Sequence, residues 1–287
     1  MIVKLPIPIY SNNEVFSTSI EIRKPNAGCI ADTKKISDTG DHYGAINFFI
    51  ASCTESIETS SGMITDRSVI KNSVRNMPYR SAEYVFTQIM LLRHSDDGIE
   101  GIYFCPRCKT QIICEAKKDH QTGEILSDTR DFVRQLHVNF TEELVNVEHH
   151  FQEPIEIKSL DGRALSTRDG SILEPITHFI MRHPTLADAM MGIKRADKSD
   201  DLRGQFGIYV ECLVGVNGSL VDHSWKNNFG MLMFERADLD TDIIEISNKI
   251  NEYGMEKRIL RTCPSCGKEW RSIVNTSNFF DLEAPHM

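Results

Sequence analysis

Apolar and polar residues alternate along 7–22, and the alternation breaks at Ser11-Asn12-Asn13. Period-two alternation about a turn signal predicts a β-hairpin. Beyond it the apolar spacing becomes helical, over 43–55, 66–75 and 81–93. The same spacing returns late in the chain, over 185–193, 204–214, 225–235 and 240–252. In the last segment Ile243, Ile244, Ile246 and Ile250 are the apolar positions, with Asp240 placed to cap the helix. Turn signals at Asp161-Gly162 and Asp169-Gly170 precede a strand expected over 171–179, and 145–157 reads as extended. Residues 115–130 are polar, turn at Gln121-Thr122-Gly123 and show no apolar period, which predicts a linker or exposed loop. The pattern as a whole predicts an α+β fold.

The two stretches resemble each other. Arg23-Lys24-Pro25-Asn26 returns as Arg182-His183-Pro184-Thr185, with the prolines 159 residues apart. Cys53 and Cys212, each ending an apolar run, are also 159 apart, and Ala82-Glu83-Tyr84-Val85 falls on Thr241-Asp242-Ile243-Ile244 at that spacing. Cys105-Pro106-Arg107-Cys108 returns as Cys263-Pro264-Ser265-Cys266, 158 residues on. Landmarks kept in order at near-constant spacing predict a tandem duplication. The expected domains are a first unit over 1–114, a polar linker over 115–144 and a second unit over 145–287. Each unit is expected to be mostly helical, with a β-hairpin and a CPxC knuckle.

The chain has 287 residues, enough for about two domains, and 40% of them are hydrophobic. Its formal net charge is -9, from 32 basic and 41 acidic residues. That balance argues against a main task of coating nucleic acid or an anionic membrane, which calls for a basic field. The most apolar stretch, 44–53, is short of the ~20 residues that cross a bilayer, and the start carries no sustained apolar leader. A soluble, cytoplasmic protein with no membrane partner is expected.

Of the eight cysteines, four stand in the two CPxC pairs. A C-P-x-C knuckle points both sulfurs at one centre, and two knuckles complete a tetrahedral zinc site. Paired knuckles usually lie ~15–20 residues apart. Here the stretch between them, 109–262, is 154 residues long. A duplicated chain resolves the mismatch: each unit supplies one knuckle and a shared, zinc-ribbon-like site joins them. The predicted ligands are Cys105, Cys108, Cys263 and Cys266, and the predicted cofactor is a structural zinc; metal-free thiol hairpins are the alternative. Lys109, Lys268 and Arg271 stand near enough to offset a negatively charged zinc–tetrathiolate, and Gly267 supplies backbone freedom. A closed all-sulfur site leaves no position open for hydrolysis.

Other candidates carry less. Glu148-His149-His150 lacks the spacing of a helical metal motif and reads as surface. Cys53 and Cys212 read as core thiols, Cys114 as a strand residue, and Trp225 and Trp270 as packing or interface residues. Asp96-Asp97 and Asp200-Asp201 read as solvated loops. With no phosphate-binding loop, dinucleotide glycine pattern or nucleophile elbow, no enzyme is expected.

Several of these motifs resemble tail assembly proteins of contractile-tailed bacteriophages. Ile20-Glu21-Ile22-Arg23-Lys24-Pro25-Asn26-Ala27-Gly28 is similar to the strand and R-x-P-T-A-G turn of Mu-like tail assembly chaperones. Phe48-Phe49-Ile50-Ala51-Ser52-Cys53 is similar to their apolar IA-x-C helix, and Met77-Pro78 to their MP segment. Leu91-Leu92-Arg93 before Cys105 to Cys108 resembles the corresponding stretch of T-even-like baseplate hub proteins. The resemblance covers about residues 1–110 and, more faintly, 170–270. Asn26 replaces a threonine and Cys29 an acidic residue, and the chain is twice as long as the small chaperones. The resemblance implies a non-enzymatic role in tail or baseplate morphogenesis, with tape-measure or baseplate proteins as partners. It places the protein in the host cytoplasm during assembly, or in the tail or baseplate of the virion. The rival expectation is a zinc-ribbon regulator that binds nucleic acid or polymerase.

Overall fold

Strand β1 (Ile2–Ser11) and strand β2 (Glu14–Ile22) pair antiparallel and begin a four-stranded sheet. The computed structural model describes residues 1–11, 14–93, 101–114, 117–118, 125–127, 138–139, 155–156, 165–166, 170–195, 201–255 and 258–273. Val3, Leu5, Ile7 and Ile9 are buried, so apolar burial extends the first strand back from the expected start at residue 7. The register of β1 shifts between Lys4 and Ile9. There the Ser81 hydroxyl accepts from the Ile7 N–H at 2.9 Å and donates to its carbonyl at 2.7 Å, so both main-chain groups are satisfied without a strand partner.

Three aspartate- or asparagine-capped helices follow the sheet's logic. Helix α1 (Ala27–Asp38) starts under Asn26, whose side chain accepts from the Cys29 N–H. Helix α2 (His42–Cys53) starts under Asp41. It stops at Cys53 rather than residue 55, because β-prone Thr54 opens strand β3 (Thr54–Thr59), which turns into β4 (Gly62–Ile64). Helix α3 (Arg67–Arg75) starts under Asp66, and α4 (Tyr79–Arg93) packs on β1. The sheet order is β1-β2-β3-β4. Phe49, Ile50, Ile57, Val74, Val85 and Phe86 form the heart of this core. Strands β5 (Gly101–Phe104) and β6 (Gln111–Cys114) carry the first knuckle.

The stretch expected as a linker contains short strands: β7 (Lys117–Lys118), β8 (Ile125–Ser127) and β9 (Val138–Asn139). Next come β10 (Ile155–Glu156), β11 (Leu165–Ser166), β12 (Ile172–Leu173) and β13 (His178–Met181), in place of one strand over 171–179. Helices α5 (Leu186–Arg195) and α6 (Asp201–Cys212) lead into β14 (Leu213–Val216) and β15 (Ser219–Leu220). The second sheet runs β10-β13-β14-β15. A helical run follows: α7 (His223–Trp225), a π turn at Lys226–Gly230, α8 (Met231–Arg236), a second π turn at Leu239–Ile243 and α9 (Ile244–Ile250). Asp240 lies inside the second π turn, so it is not the cap; the Asp238 carboxylate takes the Thr241 N–H at 3.0 Å. Strand β16 (Gly254–Met255) pairs with β9, and β17 (Arg258–Thr262) with β18 (Glu269–Ile273). Two four-stranded sheets replace the two hairpins expected in mostly helical units.

The two sheets share register. Ile20, Glu21 and Ile22 pair with Ile57, Ser56 and Thr54, with the register shift before Ile22. Phe179, Ile180 and Met181 pair with Val216, Gly215 and Leu213, with the shift before Met181, each residue 159 further on. The Arg23 N–H donates to the Cys53 carbonyl at 2.8 Å, and the Arg182 N–H to the Cys212 carbonyl at 3.0 Å.

The halves meet over a defined surface. The Tyr79 N–H donates to Pro184 and the Leu186 N–H to Met77, and Leu186 is buried in the first core. Buried Arg80 donates to the carbonyls of Tyr253 (3.2 Å) and Met255 (2.6 Å) while pairing with Glu83. Gly254, at φ +98°, is required here: a Cβ would stand 2.8 Å from Cβ of Arg80. Among the described residues no helix is long and apolar enough to cross a membrane.

Candidate metal centre

Each knuckle is the turn of a short antiparallel hairpin. In the first, β5 delivers the chain through the Phe104–Gln111 pair into Cys105. The Cys105 N–H donates to Thr110 at 3.0 Å, and the Lys109 N–H returns to Cys105 at 2.9 Å. Lys109 closes the turn at φ +59°. The second knuckle repeats this through the Thr262–Glu269 pair, with Cys263 to Lys268 and Gly267 to Cys263 both at 2.9 Å, and Gly267 at φ +65°.

The two turns face each other. Sγ of Cys105 lies 3.7 Å from Sγ of Cys266, and Sγ of Cys108 lies 3.6 Å from Sγ of Cys263. All four sulfurs fall within 4.8 Å of one another. A tetrahedral zinc with sulfurs at about 2.3 Å requires sulfur separations of roughly 3.8 Å. Donor type, number and spacing therefore fit a divalent, thiophilic ion such as zinc. Cys105 and Cys263 are buried, Cys266 is half-buried and Cys108 exposed.

The electrostatics point the same way. Hydrogen bonds from the Thr110 hydroxyl and N–H lower the Cys108 thiol to about 6. The Lys268 N–H favours a thiolate at Cys266, but burial and the three neighbouring sulfurs push that thiol up to about 12. Four thiols this close cannot all ionise alone, whereas a dication accepts four thiolates together.

The other sequence candidates lie elsewhere. Cys53 and Cys212 end α2 and α6 and are fully buried, and burial pushes Cys212 up to about 12. Cys114 ends β6 opposite Gly101. Trp225 packs its ring 5.7 Å from Phe229, and Trp270 sits in β18 opposite Arg261. Lys109, Lys268 and Arg271 are exposed in the knuckle hairpins. Glu148-His149-His150, Asp96-Asp97, Asp200, Gln121-Thr122-Gly123, Asp161-Gly162 and Asp169 lie outside the described residues. Arg80, which joins the halves, carries no sequence signal beyond an arginine at the start of an apolar helix.

Comparison with protein families, curated proteins and solved structures finds no match to this chain.

Proposed function

We propose that this chain is a non-enzymatic morphogenesis protein of a contractile phage tail. It acts as a baseplate subunit or as an assembly chaperone that binds tape-measure or baseplate proteins. Its two halves descend from one duplicated unit and share a structural zinc. The observation that carries the reading is the R-x-P strand-to-helix junction, the segment on which the resemblance rests. It recurs in both halves with the same strand register, at Ile22–Thr54 and Met181–Leu213. Such a chain offers two copies of one recognition unit at a fixed mutual orientation, held by the thiolate cluster and by the Arg80 and Leu186 contacts. Rigid presentation lowers the entropy cost of binding and suits an assembly factor.

A second reading has one observation in its favour. Arg107, Lys109, Lys268 and Arg271 are exposed around the knuckles, beside an exposed Phe104, which fits a zinc-ribbon contact to nucleic acid or polymerase. Affinity purification of the tagged protein from phage-producing cells, followed by mass spectrometry, separates the two. Recovery of tape-measure, tube or baseplate proteins supports the first reading, and finding the chain in finished particles identifies a subunit rather than a chaperone. Recovery of polymerase, or nucleic-acid binding that falls steeply with salt, overturns it.

A further inference from the structure

We propose that Cys29 and Cys53 are an oxidative modification site: a dithiol that hydroperoxides close to a disulfide, tying α1 to α2. Their sulfurs lie 3.9 Å apart, so bonding requires a closure of about 2 Å to reach a normal disulfide length. Cys29 stands in the first turn of α1, three residues past the cap at Asn26, where the helix dipole stabilises an anion. The Arg23 guanidinium is anchored nearby on the Ser52 carbonyl at 2.9 Å.

The second half shows what this position is built to hold. Arg182 corresponds to Arg23 and Cys212 to Cys53, each 159 residues on, and both arginines reach the carbonyl preceding their cysteine. At the same spacing Cys29 corresponds to Asp188, whose carboxylate pairs with Arg182 at both oxygens. A pocket that takes a carboxylate in one half thus takes a sulfur in the other, beside a second sulfur. The environment favours the thiolate: the Cys53 thiol bonds the Cys29 sulfur and, against the cost of burial, Ser52, Thr33 and Arg23 help bring Cys29 down to about 7. The same pairing, with burial, pushes Cys53 up, so Cys53 keeps its proton.

The chemistry balances with one hydroperoxide. The Cys29 thiolate attacks the terminal oxygen and the O–O bond breaks, forming Cys29–SOH and releasing hydroxide from hydrogen peroxide or an alkoxide from an organic hydroperoxide. The Cys53 sulfur then displaces water from the sulfenic acid, its proton leaving with that water, and the S–S bond forms. The peroxide oxygen atoms are reduced and the two sulfurs oxidised. Cys29 is only 7% exposed, but among the described residues α2 is the one element with which α1 packs extensively, so local opening of α1 admits a small oxidant.

The test treats the full-length, zinc-loaded chain with hydrogen peroxide, blocks free thiols under denaturing conditions and maps every cysteine by mass spectrometry. The expected result is a linked pair of peptides, carrying Cys29 and Cys53 and two hydrogens lighter, that dithiothreitol reverses. Cys212, equally buried but beside a carboxylate, should remain a free thiol. In Cys53→Ser, Cys29 should stop at a sulfenic acid that dimedone traps. Free thiols at both positions in the treated wild type, or Cys29 oxidised without a link to Cys53, would overturn the proposal. The mapping reads the knuckle cysteines separately, so their oxidation cannot imitate the result.

Discussion

Asp188 is a heavily engaged carboxylate in the second half. It accepts from Arg182, from the Thr185 N–H at 2.7 Å and from the Thr185 hydroxyl at 2.8 Å. Burial alone would raise its pKa; Arg182 and the two Thr185 donors outweigh burial and hold the carboxyl below its ordinary value of 3.8. A depressed carboxylate stabilises the fold above its unfolded pKa, and that contribution is lost as pH falls through the folded value. Asp188→Asn should therefore cost on the order of 2 kcal/mol at neutral pH, because half-buried Arg182 is left without its anion. Urea titrations should show the gap between variant and wild type narrowing below about pH 4; a gap that stays constant across this range would contradict the assignment. The two knuckles permit a cleaner experiment. Lys109 and Gly267 hold the same left-handed backbone, which costs a side chain about 1 kcal/mol. Lys109→Gly should raise the melting temperature of the zinc-loaded protein by roughly 2 °C. Gly267→Ala should lower it by about as much. Its new Cβ would meet nothing within 4 Å, so the loss would be backbone strain alone. The four clustered cysteines were legible because cysteines in CPxC pairs have a type and a spacing. Arg80 was not, because what gives it a role is two carbonyls more than 170 residues away in sequence.

Between elements, α5 and α6 cross with their backbones in close approach at Gly192 and Gly207. A Cβ on Gly192 would lie 2.4 Å from the Ile208 nitrogen, and one on Gly207 would lie 2.2 Å from the Gly192 carbonyl oxygen. Backbone meets backbone here, so neither helix can yield by turning a side chain. Gly192→Ala or Gly207→Ala should destabilise the protein by about 1–3 kcal/mol, read by chemical denaturation. The same change at Gly204 meets nothing within 4 Å and should be neutral or slightly stabilising through helix propensity. A loss at Gly204 equal to that at Gly192 would show that the close crossing is not the cause. Thr33 and Phe48 stand 159 residues before these two glycines, in α1 and α2, and their side chains keep that pair from approaching in this way. Legibility at this scale followed apolar periodicity. The helices with strong stripes were readable, with ends displaced by a few residues. Helix α1 carries no legible period because its buried side is only Cys29 and Thr33, too narrow for a stripe. The β14–β15 turn was written in Asn217-Gly218, with φ of +49° and +81°, a hairpin signal hidden by the apolar run before it. The π turns had no such signal.

For the molecule as a whole, the question is what fixes one half against the other. Among the described residues, two separate groups of contacts do so. One is protein against protein, where Leu186 sits in the first core and Arg80 grips the second half. The other is the four-cysteine cluster, whose closest sulfur pairs each take one cysteine from either half. Each half has its own core of buried side chains, so removing the metal should not unfold the chain outright, unlike a small zinc finger. It should leave four crowded thiols with no cation and remove one of the two contacts. One zinc per chain is therefore expected by elemental analysis, and a chelator should lower the melting temperature while retaining a folded protein by circular dichroism. Cys263→Ser and Cys105→Ser lie in opposite halves, yet both should lose the ion and melt together, near the chelated wild type. Two ions per chain, or loss of zinc from one variant while the other binds normally, would mean separate sites. The equivalence of the two variants is the decisive measurement, because stability loss alone would follow from damage to any buried cysteine. Only a shared ion makes residues 158 apart in sequence interchangeable in their effect.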